Sequence, residues 1–195
     1  MQIPLTFLLS LTFLFLFSGF VYGQKEVKKE YYENGSIWMQ THYKNKKKDG
    51  LQTIWMPNGK KLNETYYKNG VKDGLQTIWS ESGAKYGEYF WKNGKQEGLL
   101  TFWFESGEKA SESSWKNGKP EGLETIWHQN GKKQAKIRYK DGKKDGAWEE
   151  WYRSGKKKFL KHYKNGIENG FRKEWDEDGK LIFQGNFADG LEETK

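Results

Sequence analysis

Gly74-Leu75-Gln76-Thr77-Ile78-Trp79 runs into Ser80-Glu81-Ser82-Gly83, and Tyr86-Gly87-Glu88-Tyr89-Phe90-Trp91 then runs into Lys92-Asn93-Gly94. Each apolar run is short, alternating and rich in aromatic or β-branched residues, and each stops at a glycine turn. That is the pattern of two antiparallel strands joined by hairpin turns. The same passage recurs along the chain. Trp55, Trp79, Trp103, Trp127, Trp151 and Trp175 lie 24 residues apart, with Tyr31 in the same column one period earlier. Gly50, Gly74, Gly98, Gly122, Gly146 and Gly170 keep that step, as do Gly35, Gly59, Gly83, Gly107, Gly131, Gly155 and Gly179. A third column, aromatic throughout, holds Tyr43, Tyr67, Trp91, Trp115, Tyr139, Tyr163 and Phe187. A fixed period overrides ordinary single-domain reasoning. The expected fold is all-β, an elongated and twisted antiparallel meander of about seven β-hairpin repeats of 24 residues each. Neighbouring strands about 4.8 Å apart would advance the sheet by about 9.6 Å per unit. Asn34, Asn58, Asn69, Asn93, Asn117, Asn130 and Asn165 precede turn glycines and are expected in the left-handed region. One unit cannot bury enough apolar surface to offset its own ordering entropy, so units must stack.

Composition agrees with a packed β structure. Aromatic residues make up 17 % of the 195 residues, too many for a disordered tail, and there are 23 Gly but only 3 Pro. The absence of cysteine excludes disulfides, thiol catalysis and Cys-based zinc sites. The net charge of +8 comes almost wholly from lysine, with Arg138, Arg153 and Arg172 the three arginines. Lysine is a mobile point charge that serves loose attraction to polyanions better than sequence reading, so no nucleic-acid partner is expected.

Residues 3–22 form an uncharged apolar run, and small or modest residues precede Gln24. Residues 1–23 read as a signal peptide cut after Gly23, with an uncleaved single-span anchor as the alternative; residues 24–195 form the repeat domain. The expected location is therefore periplasmic, cell-surface or secreted.

The units Tyr67-Lys68-Asn69-Gly70-Val71-Lys72-Asp73-Gly74 and Tyr163-Lys164-Asn165-Gly166 resemble the MORN-repeat variant of bacterial YwqK-type antitoxin-like proteins, over about residues 27 to 190. The resemblance implies a β-hairpin array with a protein- or membrane-contacting role. An export signal fits immunity against a toxin acting in the envelope better than neutralisation of a cytosolic one.

Alternation places Leu75, Thr77 and Trp79 on one face and Gln76 and Ile78 on the other. The Leu column and the Trp column (Trp55, Trp79, Trp103, Trp127, Trp151, Trp175) are assigned to the structural core. The opposite column changes chemistry, since Ile54, Ile78, Phe102 and Ile126 give way to Glu150 and Glu174. With Tyr66 and Phe90 on neighbouring strands, these residues are expected to form an apolar strip about 30 Å long, a candidate partner-binding surface. Coverage of the strip by sheet coiling or by self-association is the alternative. Lys44, Lys68, Lys92, Lys116, Lys140 and Lys164 line the turns, with Asp49, Asp73, Glu97, Glu121 and Asp145 beside them. They read as a solvated rim, or as weak attraction for an anionic envelope polymer or lipid surface.

No catalytic residue, metal ligand or cofactor is assigned. His42 and His162 share a column five units apart, and His128 belongs to another, so no two are expected to meet. Glu149, Glu150 and Glu174 read as a solvated face rather than an acid–base pair. Asp176-Glu177-Asp178-Gly179 reads as the ordinary turn of the repeat, not as a calcium loop. The expected role is a non-catalytic scaffold for protein–protein interaction, with binding of surface polymer or anionic lipid head groups as the alternative.

Overall fold

The computed structural model describes residues 23–193, and the apolar leader of residues 3–22 lies outside them. Every regular element is a β-strand, and every strand pairing is antiparallel. The described residues divide into two compact units, 23–85 with 91–94 and 86–90 with 95–193. No helix among the described residues is long and apolar enough to cross a membrane.

The first unit is a meander of β1 (Lys25–Tyr31), β2 (Ile37–Lys44), β3 (Lys47–Trp55), β4 (Lys61–Lys68) and β5 (Val71–Trp79), each paired with the next. Strand β6 (Lys85–Lys92) contributes its central residues Tyr86–Phe90 to the second unit. That unit continues through β7 (Lys95–Gln96), β8 (Gly98–Trp103), β9 (Lys109–Lys116), β10 (Lys119–Trp127), β11 (Lys133–Lys140) and β12 (Lys143–Trp151). It ends with β13 (Lys157–Lys164), β14 (Ile167–Glu168), β15 (Gly170–Trp175), β16 (Leu181–Ala188) and β17 (Leu191–Glu192). The last long strand, β16, is followed by the short β17, whose residues pair with Phe187 and Ala188.

Two turn types alternate, and both follow from local chemistry. After β4, Asn69 and Gly70 have φ of 51° and 92° and link the paired residues Lys68 and Val71. Positive φ at both loop positions makes a type I′ turn, whose twist matches the strands it joins. The other turn spans Met56 to Lys60, where the Gly59 amide donates to the Met56 carbonyl and the Met56 amide to the Lys60 carbonyl. Here one asparagine expectation is corrected. Asn58 is not in the left-handed region; its side-chain oxygen accepts the amide of Lys60 at 3.0 Å, and Asn34 and Asn130 act alike toward Ser36 and Lys132. The carboxamide closes a side-chain turn, so only the glycine must adopt positive φ.

Two bulges recur in each repeat. One lies beside the Trp column, as between Ile54↔Asn63 and Trp55↔Lys61. The other sits at Asp-Gly-Leu. Thr65 pairs with Gln76 and Tyr67 with Lys72, which leaves Tyr66 opposite the three residues Asp73, Gly74 and Leu75. A Cβ on Gly74, whose φ is 116°, would lie 3.0 Å from the Tyr66 Cβ.

The core differs from the expected one. Leu75, Leu99 and Leu123 are exposed, at 41 %, 57 % and 41 %, because each follows the bulge glycine and is lifted off the sheet. The Trp column is half-buried. The most deeply buried rows are polar: Thr41, Gln52, Thr65 and Gln76 on one face of the first unit, and Thr53 and Thr77 on its other face. Gln52 donates through Nε2 to Thr41 Oγ1 at 2.9 Å, and the Trp91 indole donates to Gln76 Oε1 at 2.9 Å. Burial of Thr41, Gln52, Thr65 and Gln76 is tolerated because each finds a side-chain hydrogen-bond partner.

Candidate functional site: an aromatic groove in the second unit

Cross-strand register decides which expected strip residues share a face. Ile54 and Ile78 both pair with Asn63 in the first unit, while Tyr66 pairs with Leu51. Leu51 and Ile54 are three positions apart on one strand, so Tyr66 lies on the face opposite Ile54. In the second unit Gly87 pairs with Phe102, and Phe90 falls on the other face by the same parity. The six residues are therefore split between two faces. In the first unit Tyr66, 46 % exposed, lies opposite the half-buried Ile54 and Ile78, and in the second Phe90, 45 % exposed, lies opposite the half-buried Phe102 and Ile126.

On that side of the second unit, large and small residues alternate across the strands. The paired row runs Gly87, Phe102, Ser111, Ile126, Ala135. A Cβ on Gly87 would come within 3.2 Å of the Phe102 ring, so the absence of a side chain there lets the ring lie down. Ser111 leaves a depression between Phe102 and Ile126. The result is a groove of about 590 Å³, floored by these three residues and walled by Tyr86, Ala110 and Gln134. Its turn-ward wall is Trp103, Phe104 and Trp127, with Glu105 and Glu124 completing the lining. Phe102 meets Tyr86 and Tyr89 edge-on, with ring centroids 5.5 and 5.6 Å apart. Such edge contacts fix ring orientation and preform the groove. Further along, the row turns charged at Glu150, which pairs with Lys158 at 2.8 Å.

Glu124 also acts on the adjoining aromatic column. Burial, reinforced by the Glu124 charge, pushes the Tyr139 phenol up to about 12. In the first unit, burial and then the nearby Lys48 hold the Lys72 ammonium below its ordinary value, although its Nζ lies 4.3 Å from the Trp91 ring centre.

The acidic residues beside the turn lysines are structural, which revises the rim expectation. Asp49, Asp73, Glu97, Glu121 and Asp145 accept the backbone amides of Asn69, Asn93, Asn117, Asp141 and Asn165, 20 positions on, at 2.7 to 3.1 Å. The following glycine amide donates to the carbonyl of the residue just before each carboxylate, as Gly70 does to Lys48 at 2.8 Å. Each type I′ turn is thereby clamped to the preceding repeat. Sequence reasoning missed this pattern, although the constant spacing of Asp or Glu from the next Asn-Gly carries it.

The histidines make structural contacts: His42 and His162 donate from Nδ1 to the carbonyls of Leu51 and Phe171, and His128 Nε2 lies 3.2 Å from the Trp151 carbonyl. Glu149 pairs with Lys157, Glu150 with Lys158 and Glu174 with Arg172. Among the described residues no cluster of His, Asp and Glu has metal-holding geometry. The loop from Asp176 closes on itself, its carboxylate accepting the Lys180 amide at 2.8 Å.

The sequence model of a family described as MORN repeat variant matches residues 27–45, 48–69, 96–117, 120–141, 144–165 and 168–189. No curated protein matches the chain.

Proposed function

Because the chain belongs to the MORN repeat variant family, we propose that it is an exported, non-catalytic scaffold that recognises a partner protein through the groove at Phe102 and Ile126. Repeats of this family are in general protein- or lipid-binding modules. The observation that carries the reading is the groove itself, a preformed apolar depression of about 590 Å³. That volume lies within the range of specific binding sites, and its aromatic content is typical of the residues that dominate interface energetics. Immunity against an envelope-acting toxin is one specialised form of this role.

The test is capture from envelope extract with full-length wild-type protein and three variants. Phe102→Asp and Ile126→Asp place a charge in the groove, and Leu99→Asp places one on the opposite face. The expected result is one partner retained by wild type and Leu99→Asp at about 0.5 M salt, and lost by both groove variants. At that ionic strength the screening length is only a few Å, so attraction based on net charge fades. Equal retention by all four proteins contradicts the groove assignment. The formal charge of +8 favours a second reading, attraction to an anionic polymer or lipid surface, and binding that disappears with salt regardless of variant supports that reading instead. Export is checked by mass spectrometry of the mature protein, whose expected first residue is Gln24.

A further inference from the structure

We infer that the turn between β2 and β3 is a binding site for a linear polymer of phosphate groups, held by Lys25, Lys44, Lys46 and Lys47. This deepens the charge-based reading above and is independent of the groove. The net charge is unevenly placed. Residues 23–85 with 91–94 hold 13 lysines against 7 Asp and Glu, whereas residues 86–90 with 95–193 hold 20 Lys and Arg against 19 Asp and Glu. Nearly all of the surplus belongs to the first unit, which holds no arginine.

Within that unit the turn after β2 departs from its repeats twice, each time toward positive charge. Its second loop residue is Lys46, at φ 63°, where the later type I′ turns have Gly70, Gly94, Gly118, Gly142, Gly166 and Gly190. A side chain in the left-handed region is strained, and the fold takes glycine there in every other repeat, so Lys46 marks a requirement other than folding. The second departure is at the clamp position, 20 residues before the loop asparagine. There Lys25 replaces the Asp or Glu of the next five turns, and the Asn45 amide donates to the Gln24 carbonyl at 3.2 Å instead.

Register then gathers the lysines. Lys25 pairs with Lys44 and Lys44 with Lys47, so three like charges stand side by side on adjacent strands. Directly opposed like charges destabilise a sheet, and an anion laid across them relieves the repulsion. Lys25, Lys44, Lys46 and Lys47 are all exposed, and among the described residues none of them forms an ion pair. Of the neighbouring carboxylates, Glu26 lies 3.8 Å from Lys28 and Asp49 accepts the Asn69 amide. Ammonium groups on three adjacent strands lie within about 10 Å, which suits the closely spaced charges of a phosphate chain. Exposed lysines are hydrated point charges, so a lone phosphate gains little, whereas a polymer that engages several at once gains through multivalency.

The probes are inorganic polyphosphate, inorganic monophosphate and vesicles of phosphatidylcholine with phosphatidylglycerol, each titrated into the purified protein at low ionic strength and followed by calorimetry. The expected result is polyphosphate bound at least tenfold more tightly than monophosphate, and weakened at least threefold by Lys25→Asp and by Lys46→Gly. Lys46→Gly should also keep a urea midpoint no lower than that of wild type, which separates lost binding from lost folding. The control is Lys140→Ala with Lys143→Ala, a cross-strand lysine pair in the second unit whose turn keeps Gly142 and its Glu121 clamp. It should change the affinity less than twofold. No polyphosphate binding, undiminished binding in both first-unit variants, an equal loss in the control, or vesicles held more tightly than polyphosphate through the same lysines overturns the inference. If every variant holds polyphosphate equally, the site falls and the charge-based reading stands. If polyphosphate is not held while capture still depends on Phe102, the site falls and the groove reading stands.

Discussion

Glycines that look alike in the repeat carry different burdens. Gly59 sits at φ 81° with open space for 4 Å around the point where a Cβ would stand, whereas Gly74 combines φ 116° with the Tyr66 side chain at 3.0 Å. Backbone strain alone should make Gly59→Ala cost about 1 kcal/mol. Strain plus the cross-strand clash should raise Gly74→Ala to about 3 kcal/mol, read as the larger fall in urea midpoint. Tyr139 gives a pH test. Its phenol is raised to about 12 from an ordinary value of 10.0, so between those values the folded protein holds a proton that the unfolded chain has lost. The contribution is complete below pH 10.0 and fades as pH rises through about 12. Ultraviolet titration of Tyr139→Phe should lack one late-titrating phenol present in wild type. At this scale the sequence was only partly legible. Both asparagine columns read as Asn-Gly, and only the register shows that Asn69 adopts positive φ while Asn58 closes its turn through a carboxamide.

The element that makes repeats cooperate is the clamp between each type I′ turn and the repeat before it. Asp145→Ala removes the carboxylate that accepts the Asn165 amide at 3.1 Å. At this exposed position the expected loss is about 1 kcal/mol, with faster hydrogen exchange at Asn165, and Asp145→Asn should recover part of it by keeping an acceptor. Strand existence, turn positions and the period were all visible in the alternation and the glycine columns. The bulges were not, because a bulge is a mismatch between two strands and no single strand records it. That is why the leucines were expected in the core and why Tyr66 and Phe90 were grouped with Ile54, Ile78, Phe102 and Ile126. Strict alternation along one strand fails to carry across a place where one residue faces three.

Across the molecule, the family match omits residues 70–95, yet β5 and the Tyr86–Phe90 part of β6 keep the same turns and pairing partners. Departure in side-chain identity there leaves the turns intact and supplies Tyr86 and Gly87, which shape the groove. A peptide of residues 71–94 alone should be unfolded by circular dichroism, since its turn clamps and neighbouring strands would be missing. The groove was half legible: the shift from Ile and Phe to Glu along one column pointed to Phe102 and Ile126, whereas the small residues between them gain meaning only from cross-strand pairing. Hydrogen-exchange mass spectrometry of the full chain, with and without the captured partner, tests the recognition claim most directly. Protection confined to residues 102–111 and 124–134 is the predicted footprint, and protection centred on Leu99, Leu123 and Phe90 with none in the groove would contradict it.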